Sequence, residues 1–283
     1  MTTAILIKAF TKDKAAGNPA GVVLNAEDLT DQQMQHIASE LGFSESAFVS
    51  LSDIADFRVR FFSPTQEVDF CGHATVATFY ALMQQGRIAV EHHRTVTQET
   101  NIGVSHVTCY ADGRIVMAQA KPVFGMVEEG RAKIAGLLGI ESEQLLDHPL
   151  QVVSTGTPKL MIPVDSLKTL SAIKPNLEEI AAYCKNGEAR GFYPFTTETL
   201  DSKADFQARQ FNPAAGINED PITGIAAGAL GCYVRRYSLI DKEQIIVEQG
   251  YAMGMGGQMF VDLSESVRVG GYAVTFSKKE LKV

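Results

Sequence analysis

The stretch FFSPTQEVDFCGHATVATFYAL, residues 61 to 82, runs from an aromatic pair through Pro64 and an acid-bearing loop into a glycine and a small, apolar run. Its helical pattern opens near Cys71-Gly72 and stops at Gly86. A second stretch, QFNPAAGINEDPITGIAAGALGCYV from Gln210, repeats the plan: Phe, a polar residue, Pro, an irregular loop carrying acids, Gly at a helix entrance, then an Ala-rich helix. The loop is three residues longer in the second copy. Matching Cys71-Gly72 to Thr223-Gly224 sets the two marks 152 residues apart, about what duplication of a half-length unit requires in a chain of 283.

Outward from these marks the chain is strand-rich. AILIKAF, AGVVL, SAFVSL and FRVRFF read as strands, and LTDQQMQHIASEL as a helix in which Thr30 and Gln33 have capping-box spacing. Residues 95 to 121 read as paired strands turning at ADGR. A second cycle follows: helix GRAKIAGLLG, strands LQVVSTG and KLMIPV, helix NLEEIAAYCK, strands GFYPFT and DFQARQF, and an apolar helix after Pro221, a residue suited to a first helical turn. The tail is strand after strand. The expected domains are residues 1–118, joined by the C-terminal strand 270–283, and residues 119–269.

With 45% hydrophobic and 20% charged residues, the chain can bury a large core. A net charge of −8 with interleaved signs leaves no basic stripe for phosphates, so nucleic acid is not an expected partner. No apolar run reaches the roughly 20 residues that span a bilayer, and there is no leader pattern, so a cytoplasmic protein without membrane contact is expected. Cys71, Cys109, Cys184 and Cys232 are scattered and read as reduced thiols; no Cys-x-x-Cys exists, and no metal site is expected.

The chemistry concentrates at the two helix entrances. A helix N-terminus presents unpaired N–H groups and about half a positive charge, which suits a carboxylate, and Gly72 or Gly224 there would let a ligand approach the backbone. His73 and Asp220 are polar groups in apolar surroundings, and Glu45 sits among Ser and Gly at a strand start. Cys71 and Thr223 occupy the equivalent entrance positions. Two buried helices that merely pack well would show much of the same pattern.

AGNPAGVVL (16–24), SESAFV (44–49), RFFSPTQEVDFCGHAT (60–75) and FNPAAGINEDPITG (211–224), extended by STGTP (154–158) and EQG (248–250), resemble the PhzF-like isomerases of phenazine biosynthesis. The resemblance implies an α+β, diaminopimelate epimerase-like fold: two pseudo-symmetric domains, each a curved, mostly antiparallel sheet wrapped around a central helix, with the active site in the cleft between them. It implies cofactor-free proton transfer within a small unsaturated or hydroxylated carboxylic acid. Glu45 matches the family's acid/base; His73 and Asp220 match groups that bind and polarise the substrate; Asn18, Cys71, Gly72, Thr223 and Gly224 line the site. A homodimer is implied by analogy. Ile225 stands where the family usually has Ser, and Met255-Gly256-Gly257 where it often has Arg-Pro-Ser. Related epimerases place a cysteine at each entrance, but a Thr223 hydroxyl has too high a pKa to be a second proton carrier unaided. Epimerisation of an amino or hydroxy acid, and acid binding without chemistry, remain the alternatives.

Overall fold

The computed structural model describes residues 1–127 and 129–282. The chain divides into two compact units, Met1–Ala118 with Gly270–Val283, and Gln119–Val269. Each is built around one helix of thirteen residues, Gly72–Gln84 in the first unit and Gly224–Arg236 in the second.

In the first unit, Ala273–Leu281 pairs antiparallel with Thr2–Ala9, which pairs antiparallel with Asn18–Val23. The order continues parallel to Glu45–Ser50, antiparallel to Phe57–Phe62, parallel to His93–Thr100, antiparallel to Gly103–Tyr110. The second unit runs through the same series. Val123–Gly125, Gln151–Ser154 and Lys159–Pro163 are successive antiparallel neighbours. Lys159–Pro163 lies parallel to Phe192–Thr196, which is antiparallel to Phe206–Ala208. That strand is parallel to Gln244–Gln249, which is antiparallel to Gly257–Asp262. Each sheet is thus mostly antiparallel with two parallel joints at matching places. The repeat seen in sequence only near the helix entrances extends through both topologies.

The central helices are buried nearly all round. His73 to Phe79, Ala81 and Leu82 are buried in the first, and the helix packs against strands from both ends of its sheet, including Thr2–Ala9, Ile115–Ala118 and Ala273–Leu281. A sheet that touches one helix from both ends is wrapped around it. Thr75 and Thr78 satisfy their buried hydroxyls by donating to the carbonyls of Cys71 (2.8 Å) and Ala74 (2.7 Å) one turn back. In the second helix close approach sets the composition: a Cβ on Gly231 would lie 2.8 Å from Val261 Cγ1, and one on Gly228 would run into Gln119 Oε1. Outside the sheets, Asp31–Leu41 carries the expected capping box: Gln33 N–H bonds to Thr30 Oγ1 at 3.3 Å, and Gln33 Oε1 accepts from Thr30 N–H at 2.9 Å.

Several expectations need correction. The loop before the second helix is not irregular throughout: Ile217–Asp220 is a strand paired with Gln210–Asn212, held there by Arg209. Pro221 lies outside the helix, which begins at Gly224 with Thr223 as N-cap. The run DFQARQF is two strands, broken at Arg209, whose side chain is drawn to Glu219. The short helix Leu167–Ala172, capped by Ser166, and the strand Val123–Gly125 escaped notice, because each is too short for its period to show. All four cysteines are free and buried. No helix among the described residues is long and apolar enough to cross a membrane.

Candidate active site

Three candidate side chains meet at the first helix entrance. Glu45 begins its strand beside Ala20 of the parallel strand that starts at Asn18, so Asn18 and Glu45 lie at the same end of the sheet. Cys71 is the N-cap and His73 stands in the first turn. His73 Nε2 lies 3.5 Å from Glu45 Oε2 and 3.4 Å from Ser44 Oγ, while Nδ1 lies 3.3 Å from Cys71 Sγ. An imidazole that accepts the Cys71 thiol proton at Nδ1 carries its own proton on Nε2, facing the carboxylate. The Cys71 and His73 side chains are buried and that of Glu45 is 19% exposed, which leaves the carboxylate the most accessible of the three. Asn18 is 2% exposed.

Gly72 is not demanded by packing. A Cβ there would meet nothing nearer than Met117 Sδ at 3.9 Å, and its φ is not in the left-handed region. Space is therefore left open at the Gly72 Cα, beside the first amides of the helix, which lack partners one turn back.

The second unit binds its candidates into a different network. Thr223 Oγ1 donates to Asp220 Oδ2. Gln249, fully buried, accepts from Thr223 N–H (3.2 Å) and Tyr193 Oη (3.0 Å), and donates to the Asp220 carbonyl (2.8 Å) and to Thr223 Oγ1 (3.2 Å). Thr223 is thus held in place by Gln249 and Asp220, with its hydroxyl donating to the Asp220 carboxylate. Gly224 follows as the first helical residue, and Ile225 fills the space over Gly156, where a Cβ would lie 3.7 Å from its methyl groups. Lys159 is 3% exposed; burial pushes its ammonium down to about 8, and the Asp220 charge partly opposes that shift.

Sequence reading missed the devices that hold both entrances. Arg60 grips Glu67 through two bonds of 2.8 Å and stacks 5.1 Å from the Phe62 centroid. Arg209 grips Glu219 through two bonds of 2.8 Å and stacks 4.9 Å from Phe211. Each pair closes the hairpin leading to its helix. The signal was present one residue upstream of the repeat: Arg-x-Phe, a polar residue, Pro, and a Glu four residues before each N-cap. Glu67 is held below its ordinary range by the Arg60 bonds. Gln249 was visible only as the middle of EQG.

A cavity of about 630 Å³ lies in the second unit, lined by residues including Lys133, Glu179, Tyr183 and Glu188; none of the candidates lines it. Nearness to the helix entrances, rather than cavity size, marks the chemistry.

Comparison with known proteins identifies the family and the fold. The family described as phenazine biosynthesis-like protein (PhzC-PhzF) matches residues 7–279. An uncharacterized isomerase of Clostridium acetobutylicum is 40% identical, over 97% of this chain and 96% of its own. The trans-2,3-dihydro-3-hydroxyanthranilate isomerase of Pseudomonas chlororaphis is 29% identical over 97% of each chain. A PhzF-family phenazine biosynthesis protein of Bacillus anthracis, solved by crystallography, superposes with a TM-score of 0.89 at 33% identity, covering 100% of this chain and 99% of that one.

Proposed function

The chain belongs to the phenazine biosynthesis-like (PhzC-PhzF) family and is an isomerase of the diaminopimelate epimerase-like fold, and from that premise we propose that Glu45 alone carries the proton in a cofactor-independent allylic shift. The observation that carries the reading is the approach of the Glu45 carboxylate to His73 at 3.5 Å beside an open helix N-terminus. A proton carrier and an anion-stabilising element then share one place.

The substrate class is a small carboxylic acid bearing a carbon–carbon double bond or a hydroxyl group. The activity named for the Pseudomonas chlororaphis relative, isomerisation of a dihydro-hydroxyanthranilate, is of this kind. Glu45 takes a proton from the carbon next to the double bond, and the C–H electron pair moves into the allylic system. The double bond shifts, negative charge spreads toward the substrate carboxylate, and the amides at Gly72 and His73 stabilise it. Protonated Glu45, whose side chain is 19% exposed and whose proton exchanges with water, delivers a proton to the far carbon. One C–H bond breaks, one forms, and no redox partner is needed. His73 orients the carboxylate, Cys71 orients His73, and Asn18 lines the site. Asp220, Thr223 and Gly224 act on substrate binding in the same reading, and the high pKa of the Thr223 hydroxyl rules it out as a second base. A cytoplasmic homodimer completes it, checked by sedimentation.

The test is incubation of candidate acids in heavy water. Deuterium uptake at one carbon, abolished in Glu45→Gln, is the expected result. Full activity of Glu45→Gln would refute the assignment. Inversion of a stereocentre lost in Cys71→Ala would install epimerisation instead, and tight binding without deuterium uptake would reduce the protein to a binder of acids.

A further inference from the structure

We propose that Glu45, Cys71 and His73 form a binding site for a thiophilic divalent cation, Zn²⁺ in particular, with one coordination position open, and that the bound cation inhibits the enzyme by capturing its proton carrier. One carboxylate oxygen, one thiol sulfur and one imidazole nitrogen all lie within 4.8 Å of one another. Through Nε2 the measured separations are 3.9 Å to Cys71 Sγ and 3.5 Å to Glu45 Oε2. Tetrahedral zinc, with bonds of about 2.3 Å to sulfur and about 2.0 to 2.1 Å to nitrogen and oxygen, places its ligands roughly 3.3 to 3.6 Å apart. Closing the triad on a cation therefore takes movements of well under an ångström for the His73 pairs.

The donor set selects the metal. Magnesium and calcium favour all-oxygen shells, whereas a thiolate with an imidazole selects zinc among abundant divalent ions. The three ligands also sit on stiff supports: a strand start, a helix N-cap and the first helical turn. Three protein ligands leave tetrahedral zinc a fourth position for water or an anion. The sequence concealed the site because Glu45 lies 26 residues before Cys71, far outside any metal-ligand spacing.

Binding requires nothing of the catalytic reading; inhibition rests on the proposed role of Glu45. The metal-free protein is titrated with ZnCl₂ against a chromogenic chelator, and separately with CoCl₂ while the thiolate-to-cobalt charge-transfer band is followed. One zinc per chain and a charge-transfer band are expected. The band disappears in Cys71→Ser and persists in Cys232→Ser, where a thiol outside the triad is removed. Loss of a direct ligand in His73→Gln or Glu45→Gln weakens zinc by roughly a hundredfold or more, beyond the effect of losing an outer partner. Circular dichroism confirms that each variant is folded, and the three ligand variants probe the site independently. Absence of the band from the wild-type protein, or zinc binding undiminished in folded Cys71→Ser, overturns the site. Stoichiometric zinc should also abolish deuterium uptake, with recovery on chelation; uptake unchanged in the zinc-bound enzyme overturns the inhibition. Failure of the metal-free enzyme to show Glu45-dependent uptake would sink the acid/base reading without touching the binding result.

Discussion

Lys159 offers a stringent test, because its burial predicts a pH dependence of known sign. The side chain is 3% exposed, and its ammonium loses protons near pH 8 in the folded chain against 10.5 for the free group, chiefly because burial disfavours the charge. Between those values the unfolded chain holds a proton that the native one has released, so stability rises with pH through this window. A shift of this size corresponds to about 3 kcal/mol. Below pH 8 both states are protonated and the native state bears the full cost of the buried charge. The cysteines act in the opposite sense: burial pushes Cys109 to about 12 and Cys184 and Cys232 to about 11, so their unfolded thiols ionise first and stability falls above pH 9. The difference between wild type and Lys159→Met cancels the Cys109 and Cys232 background; Cys184, whose thiol pKa is lowered by the Lys159 charge, shifts with the substitution and adds to the difference only near the alkaline end. Urea unfolding of both proteins from pH 7 to 10.5, followed in the transition of the second unit, should show Lys159→Met ahead by an amount that shrinks by about 3 kcal/mol across the series. A difference that stays constant with pH would refute the reasoning.

Three further predictions come from the helix entrances. Gly72→Ala should unfold at or slightly above the wild-type urea midpoint, since a Cβ meets nothing within 3.4 Å and Ala is the better helix former, yet it should lose most deuterium uptake by crowding the ligand space. Normal uptake would show that no ligand approaches there. Glu219→Gln leaves the largely buried Arg209 without its carboxylate and should lower stability by about 3 kcal/mol in urea unfolding. Glu67→Gln should also flatten the acid limb, because the depressed carboxyl of Glu67 contributes stability above its unfolded pKa of about 4.3 and loses it as pH falls through the native value. An unchanged acid limb in Glu67→Gln would deny that role to the Arg60 pair.

Much of the architecture was legible from short range. The cap at Thr30, the apolar run after Gly72 and the alternation in FRVRFF each express a period within one element, and each formed where that period indicated. The resemblance, spread over motifs from Asn18 to Gln249, located both helix entrances for the same reason. Elements of three to six residues, such as Val123–Gly125 and Leu167–Ala172, carry too little pattern to announce themselves. The strand at Ile217–Asp220 pairs with Gln210–Asn212 and is bridged by Arg209 reaching across to Glu219, a contact that no local window reports.

The sequence alone thus determined the strand-rich order, the two glycine-marked helix entrances and the duplicated plan, because hydrophobic period and backbone freedom act between near neighbours. Only the tertiary structure decided which polar groups share a site. It brought Glu45 within 3.5 Å of His73, tied Thr223 to Asp220 and Gln249, and buried the Lys159 ammonium. Distances and burial of this kind depend on how strands far apart in sequence are paired. They set which proton can move and which charge is costly, and so they define the chemistry.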